Sequence, residues 1–190
     1  MDIADAIKNR RSCRDFLPEP IDESTIEQIL QAAISAPSPA NNQPWEFVVI
    51  TNQDVKARIY AEADERRKAL FQKSGWKWVD RYNVEFLKKV PVIVCVTGDP
   101  TKTGADMFTE GGGVAYQHAC AAAIQNMLLT AYSLGLSSLW FTLFDKDVVR
   151  KILDIAPDRD PLALICIGKP GGELFVTPRK PLAEKVTYLR

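Results

Sequence analysis

The stretch Ala36-Pro-Ser-Pro-Ala-Asn-Asn-Gln-Pro-Trp45, APSPANNQPW, separates an apolar helical pattern ending near Ser35 from an extended apolar run, Phe47 to Ile50. Pro37 and Pro39 stop the helix, and each pushes the residue before it out of the α region; Pro44 does the same at the strand entry. The backbone between is stiff, yet it carries four hydrogen-bonding side chains, Ser38, Asn41, Asn42 and Gln43. A helix–strand turn whose amides bond their own backbone is one use for them, and a binding loop is the other.

Upstream, DESTIEQILQAAISA places Ile26, Ile29, Leu30 and Ala33 on one helical face. Ser24 and Glu27 have capping-box spacing, with Asp22 as the alternative cap. The N-terminal segment gives a short helix with Ile3, Ala6 and Ile7 on one stripe, followed by Arg10, Arg11, Ser12 and Arg14. Downstream, Asp54 to about Phe71 reads as a charged surface helix with a thin stripe, Ile59, Ala63, Arg66 and Leu70. An irregular stretch, Gln72 to Asn83, follows and exposes Trp76, Trp78 and Tyr82. Pro91 opens VIVCVTG, a strand apolar on both faces and therefore central. Gly111 to Leu134 is the longest helix, alanine-rich and apolar almost all round, with Gly135 as its left-handed terminator. SSLWFTLF is a strand or strand-like loop, Asp145 caps a short helix to Asp154, and PLALICIGKP is another buried strand. The tail from Glu173 is extended, with Arg179 and Lys180 between prolines and a strand-like end, KVTYLR. Its composition suits an arm docking on a second subunit. Strands separated by helices imply one α+β domain over residues 1–190, a three-layer α/β/α sandwich, with residues 57–83 as an excursion and 173–190 as the arm.

Composition removes whole classes. The 24 Lys+Arg balance the 24 Asp+Glu, so no global field draws the chain to nucleic acid or an acidic membrane. Four scattered cysteines and the single His118 make no metal site, and His118, inside an apolar helix, reads as a packed or interface residue. No G-x-S-x-G, P-loop or G-x-G-x-x-G is present. No run is long and apolar enough for a membrane span, and the expectation is a cytoplasmic protein. What stands out is anion chemistry. Three arginines and a serine within five residues, with a second basic pair in the tail, suit one bound phosphate, since guanidiniums grip phosphate bidentately.

Four segments together carry a resemblance: RRSCRDF at Arg10–Phe16, APSPANNQPWEF at Ala36–Phe47, AAAIQNMLLTAYSLGL at Ala121–Leu136 and PRKPLAE at Pro178–Glu184. In order and spacing the chain resembles the FMN-dependent nitroreductase superfamily. The resemblance implies an intertwined homodimer with the C-terminal arm exchanged between subunits and two FMN molecules in the interface. Arg10, Arg11 and Ser12 would hold the FMN phosphate with Arg179 or Lys180, and Arg14 would sit by the pyrimidine edge. Pro37, Ser38, Pro39 and Asn41 would come from the partner subunit, with Gln43 supporting the loop. Asn83 would bond the flavin ring, and backbone groups of Trp140, Phe141, Thr142 and Leu143 would lie along its edge near N5. Some relatives carry a lysine three positions after the asparagine. This chain has Phe86 there, so tuning the negative charge that reduction leaves at N1 and the C2 carbonyl falls more heavily on Arg14. The implied reaction is ping-pong: NADH or NADPH delivers hydride, then a nitroaromatic, quinone or similar electron-poor acceptor takes the electrons. No side chain need act as acid or base. Flavin cleavage, dehalogenation, dehydrogenation and non-enzymatic flavin binding are the alternatives within the same resemblance.

Overall fold

The structure is a computed structural model and describes residues 2–190. Its centre is a four-stranded, wholly antiparallel sheet in the order β1-β2-β4-β3, formed by β1 (Trp45–Ile50), β2 (Val92–Gly98), β3 (Ser137–Phe141) and β4 (Asp160–Gly168). Every residue of β2 is buried, as its unbroken apolar run predicts. The sheet achieves this without parallel pairing, because helices cover both faces.

Alternation along the strands sorts the core into two layers. Val92, Val94 and Val96 of β2, with Ala163, Ile165 and Ile167 of β4, pack under α2 (Glu23–Ile34) and α6 (Ala115–Ser133). Ile93, Cys95, Leu164 and Cys166 face the opposite layer. There they meet Ile59 and Ala63 of α3 (Gln53–Ser74), Phe86 and Leu87 of α5 (Phe86–Lys89), and Val149 of α7 (Lys146–Leu153). The α/β/α layering is therefore present in a single chain. Alanines at 119, 123 and 131 of α6 let that helix lie directly on the sheet. Among the described residues no helix is long and apolar enough to cross a membrane.

Several boundaries differ from the sequence reading. The stretch 72–83 is not irregular throughout: α3 runs on to Ser74, Gly75 ends it at φ +66°, and Lys77–Asp80 form a further turn, α4. Asn52, not a residue inside the helix, caps α3 through the N–H groups of Asp54 and Val55. The Ser24–Glu27 capping box does not form; Asp22 holds the cap position of α2, without a side-chain bond. α6 begins at Ala115 because Gly111 and Gly113 adopt φ of +69° and +82°, outside helical space. The N–H groups leading into the helix are met from outside it. Asp106 Oδ2 accepts from Gly113, Val114 and Ala115 at 3.0, 2.8 and 2.9 Å. Asp145 caps α7 as expected, accepting from Asp147 and Val148. His118 is exposed on α6 rather than packed. KVTYLR forms no strand within the single chain: Leu182–Glu184 make one 3₁₀ turn and residues after it are irregular and mostly exposed.

Candidate cofactor site

The basic segment is bolted to the outer edge of β3. Ser12 bridges Ser138 in parallel, the Cys13 N–H donates to the Ser138 carbonyl at 3.0 Å, and Phe16 bridges Pro170 beyond β4. The Gly171 N–H closes the other side onto the Asp15 carbonyl at 2.8 Å. A Cβ on Gly171 would lie 2.8 Å from the Asp15 carboxylate, so a larger residue there would have to turn that side chain aside. Cys13 and Phe16 point inward and are buried, which leaves Ser12 and Arg14 facing out.

Three guanidiniums converge at the start of this segment. Arg10 is pushed below its ordinary value first by partial burial, then by the like charges of Arg11 and Arg179. Arg10 makes no side-chain hydrogen bond or ion pair among the described residues. Arg11 Nη1 donates to the carbonyls of Lys8 and Arg10 at 2.6 and 2.8 Å, terminating α1 (Ile3–Asn9), while its buried Nε has no partner. Mutually repelling cations and an orphaned donor are what a doubly charged phosphate would satisfy. Lys180 lies beside Arg179 in sequence and is exposed.

Further along the same edge, backbone polarity alternates with a period of two. The Ser138 carbonyl points outward to Cys13, so the polar groups of Trp140 point outward as well. Phe141 turns inward and is buried, and the Phe144 N–H takes the Thr142 carbonyl at 3.1 Å. The outward N–H and C=O of Trp140 are left on an open edge, with Leu143 half-buried beyond them.

Above this edge Arg14 Nε donates to the Tyr82 hydroxyl at 3.2 Å, and its guanidinium stands 5.5 Å from the Tyr82 ring centre. Asn83 Oδ1 accepts the Glu85 N–H at 2.8 Å, which starts α5 and leaves the Asn83 amide group facing outward. Arg14 and Asn83 line one cleft of about 400 Å³. Ser12–Asp15 and the tail residues Gly172–Phe175 enclose a second, of about 290 Å³. Phe86, where a lysine was the alternative, is buried against Phe16, Tyr82 and Phe141 and adds no charge.

The loop 36–44 is elsewhere. Ala40, Asn41 and Gln43 have φ of 49°, 56° and 46°, three non-glycine residues in the left-handed region within one loop. The Ser38 hydroxyl accepts the Gln43 N–H at 3.0 Å and the Gln43 amide donates to Asn41 Oδ1 at 3.2 Å, so the side chains hold the strained path. Such strain persists only where surroundings over-determine it, and it collects at functional sites. Pro39 packs on Gly104, where a Cβ would come within 2.7 Å. Pairing of Trp45 with Gly98, against Ser138 with Ile167 and Ile167 with Val92, sets the loop at the opposite edge and opposite end of the sheet. Three strand spacings and six residues along a strand amount to about 25 Å. The chain therefore gathers Arg10, Arg11, Ser12, Arg14, Asn83, Trp140–Leu143 and Arg179, but not Pro37–Gln43.

Two contributors escaped the sequence. Tyr82 is half-buried under Arg14, although the sequence offered it only as an exposed ring. Glu62, buried in the charged helix α3, accepts the Asp145 N–H at 2.9 Å and pairs with Arg66, tying α3 to the loop after β3. The only signal for it is its place one position before the buried Ala63 on an otherwise charged helix. Thiol chemistry has no support: burial pushes Cys95 and Cys120 up to about 12, and raises Cys13 and Cys166 too.

A family model described as the nitroreductase family matches residues 7–169. A provisionally named NADH dehydrogenase/NAD(P)H nitroreductase of Methanothermobacter thermautotrophicus is 29% identical over 174 residues, 90% of this chain and 78% of the relative. The 5,6-dimethylbenzimidazole synthase of Rhodospirillum rubrum is 29% identical, covering 86% and 80%. The iodotyrosine deiodinase of Hydra vulgaris is 30% identical, covering 92% and 68%. Among solved structures, a provisionally named nitroreductase from Desulfovibrio desulfuricans in complex with FMN superposes with a TM-score of 0.77 at 27% identity, covering 100% and 98%.

Proposed function

The chain belongs to the nitroreductase family, and on that premise we propose an FMN-dependent oxidoreductase that takes hydride from NADH or NADPH and reduces small electron-poor acceptors, nitroaromatics or quinones. The observation that carries the cofactor assignment is that Arg11 and Arg179 both bear on the partly buried Arg10, while Arg11 keeps a buried Nε without a partner. Arg10, Arg11, Ser12 and Arg179 would hold the phosphate, with Lys180 adding charge. Arg14, kept over Tyr82, would stand at the pyrimidine end with the outward amide of Asn83. The open edge at Trp140 would offer backbone groups along the ring, with Thr142 and Leu143 following it. When bound, FMN supplies hydride acceptance and two-electron delivery; the chain supplies position and field, and no side chain is assigned as acid or base.

The site is incomplete in one chain. The loop Pro37–Gln43, some 25 Å away by strand geometry, is strained, polar and set apart from the arginines. A homodimer in which that loop meets the partner's arginines gives it a use, and the extended tail after Glu173 is the arm that would hold such a pair together.

Relatives of equal similarity act as a dimethylbenzimidazole synthase and a deiodinase by name, which favours flavin chemistry without a nicotinamide donor as the second reading. One experiment separates the two. Purified protein should be yellow, and anaerobic NADH or NADPH should bleach the flavin band. Yellow protein that neither donor bleaches supports the second reading, and protein that cannot be loaded with FMN ends both.

A further inference from the structure

Resting on the flavin reading above, we propose that the acceptor is an aromatic anion, held by Arg81 and Lys89 at the mouth of the cleft beside Asn83. The cleft of about 400 Å³ takes its walls from Arg14, Arg81, Tyr82, Asn83, Phe86 and Lys89. Two acidic residues, Asp15 and Glu85, also line it. Glu85 is committed, accepting from Lys88 Nζ at 3.0 Å and from the Tyr60 hydroxyl at 3.4 Å. Arg81 and Lys89 are exposed and, among the described residues, make no ion pair. With Arg14 they set three cations against the two carboxylates of the cleft, Asp15 and Glu85, in a chain whose net formal charge is zero. The positive excess is therefore local to this cleft.

Shape adds to charge. Trp76 and Trp78 stack at 6.0 Å and 26°, both more than half exposed at 55% and 58%. Trp78 meets Tyr82 edge-on at 6.2 Å, Tyr82 meets Phe86 at 6.4 Å, and Phe86 meets Phe141 at 5.8 Å. This ladder of rings leads from solvent to the end of β3, where Thr142 begins the loop assigned to the flavin edge. A planar molecule entering the cleft continues the ladder, and an anionic substituent on it meets Arg81 and Lys89. A neutral quinone uses the rings but leaves both cations idle.

The probes are 4-nitrobenzoate and the neutral 4-nitrobenzamide. FMN-loaded protein is reduced with dithionite, freed of excess reductant, and mixed anaerobically with each, so that the reading is independent of NADH or NADPH. In parallel, tryptophan fluorescence quenching gives the affinity of each probe for oxidised protein. The ratio of carboxylate to amide, in reoxidation rate and in affinity, should fall about tenfold in Arg81→Glu/Lys89→Glu, the scale of two partly exposed ion contacts reversed. Added salt should erode the carboxylate's advantage in the wild-type protein only. Should the double variant lose FMN, Arg81→Gln and Lys89→Gln taken singly must each lower the ratio. Equal ratios in wild type and variants overturn the proposal, while a protein that discriminates as expected yet is not bleached by NADH or NADPH loses the donor assignment and keeps this one.

Discussion

Replacing Arg10 with alanine should move the apo and FMN-bound forms in different ways. Among the described residues the Arg10 side chain makes no hydrogen bond or ion pair, and its charge is disfavoured by burial and by Arg11 and Arg179. Removing it should leave the apo melting temperature unchanged or raise it slightly. In the complex the same change removes a charge-assisted contact worth about 2 kcal/mol, or roughly a thirtyfold weaker Kd. With FMN at about 100 times the wild-type Kd, ligand stabilises the wild-type fold by about 2.7 kcal/mol and the variant by about 0.9. For a chain of this size, the missing 1.8 or so kcal/mol narrows the gap between apo and loaded melting temperatures by about 4–7 °C. Fluorescence quenching of FMN titrated into apo-protein gives Kd, and thermal melts with and without FMN give the gap. An apo form that melts several degrees lower with unchanged affinity would mean that Arg10 is a structural cation, and the phosphate assignment would fall with it.

Other outcomes follow from the same contacts. Asp106→Ala removes the acceptor for the N–H groups of Gly113, Val114 and Ala115 at the entry to α6 and should lower the midpoint of denaturant titrations, with Asp106→Asn losing less. Burial acts against ionisation of Asp106, but the N–H of Ala115, the Thr103 hydroxyl and the N–H groups of Val114 and Gly113 outweigh it and hold its carboxyl below the usual value of 3.8. Asp99 is lowered chiefly by the Thr101 hydroxyl. Groups depressed in the folded state stabilise it fully above their ordinary value and lose that contribution as pH falls through the folded one, so melting points should drop below about pH 4, and less steeply in Asp106→Asn. Glu62→Ala leaves the Asp145 N–H and Arg66 without their acceptor and should cost about 1–3 kcal/mol by urea unfolding, whereas Glu62→Gln retains the first bond. Deleting Glu184–Arg190 should weaken self-association and flavin retention together. A truncated protein that elutes as a full-strength yellow dimer would remove the tail from the interface.

The elements were legible wherever hydrophobic period and turn chemistry agreed. Val92–Val96 and Leu162–Ile167 are apolar without a break, and they lie in the two central strands. Gly135, with φ +77°, ends α6 where a left-handed residue was required. Caps supplied from a distance were not legible: Asp106 serves α6 from a turn seven to nine residues away, and Asp22 displaced a capping box that local spacing favoured. Buried charges were invisible for a similar reason. Lys56, inside a helix that reads as solvated, is fully buried and donates to the Val90 carbonyl at 2.9 Å, and Glu62 is its near neighbour in sequence. Of the candidate site, the arginine cluster could be read from its density alone. That it is bolted to the β3 edge, and that Ser38–Asn41 lies at the far corner of the same sheet, depends on strand order, which no local window contains.

That strand order also governs how the chain can be made. β4 is the last strand in sequence, yet it lies between β2 and β3 and pairs with both. A ribosome that has released residues up to 153 has produced every helix and three strands, but the two edges β4 must join are still open and apolar. Long-range pairing of this kind is slow and leaves sticky intermediates exposed, so synthesis rather than refolding strength sets the hazard. Chains interrupted before Gly168 have no reduced fold to fall back on. They should be found with chaperones or in aggregates, not as smaller soluble fragments.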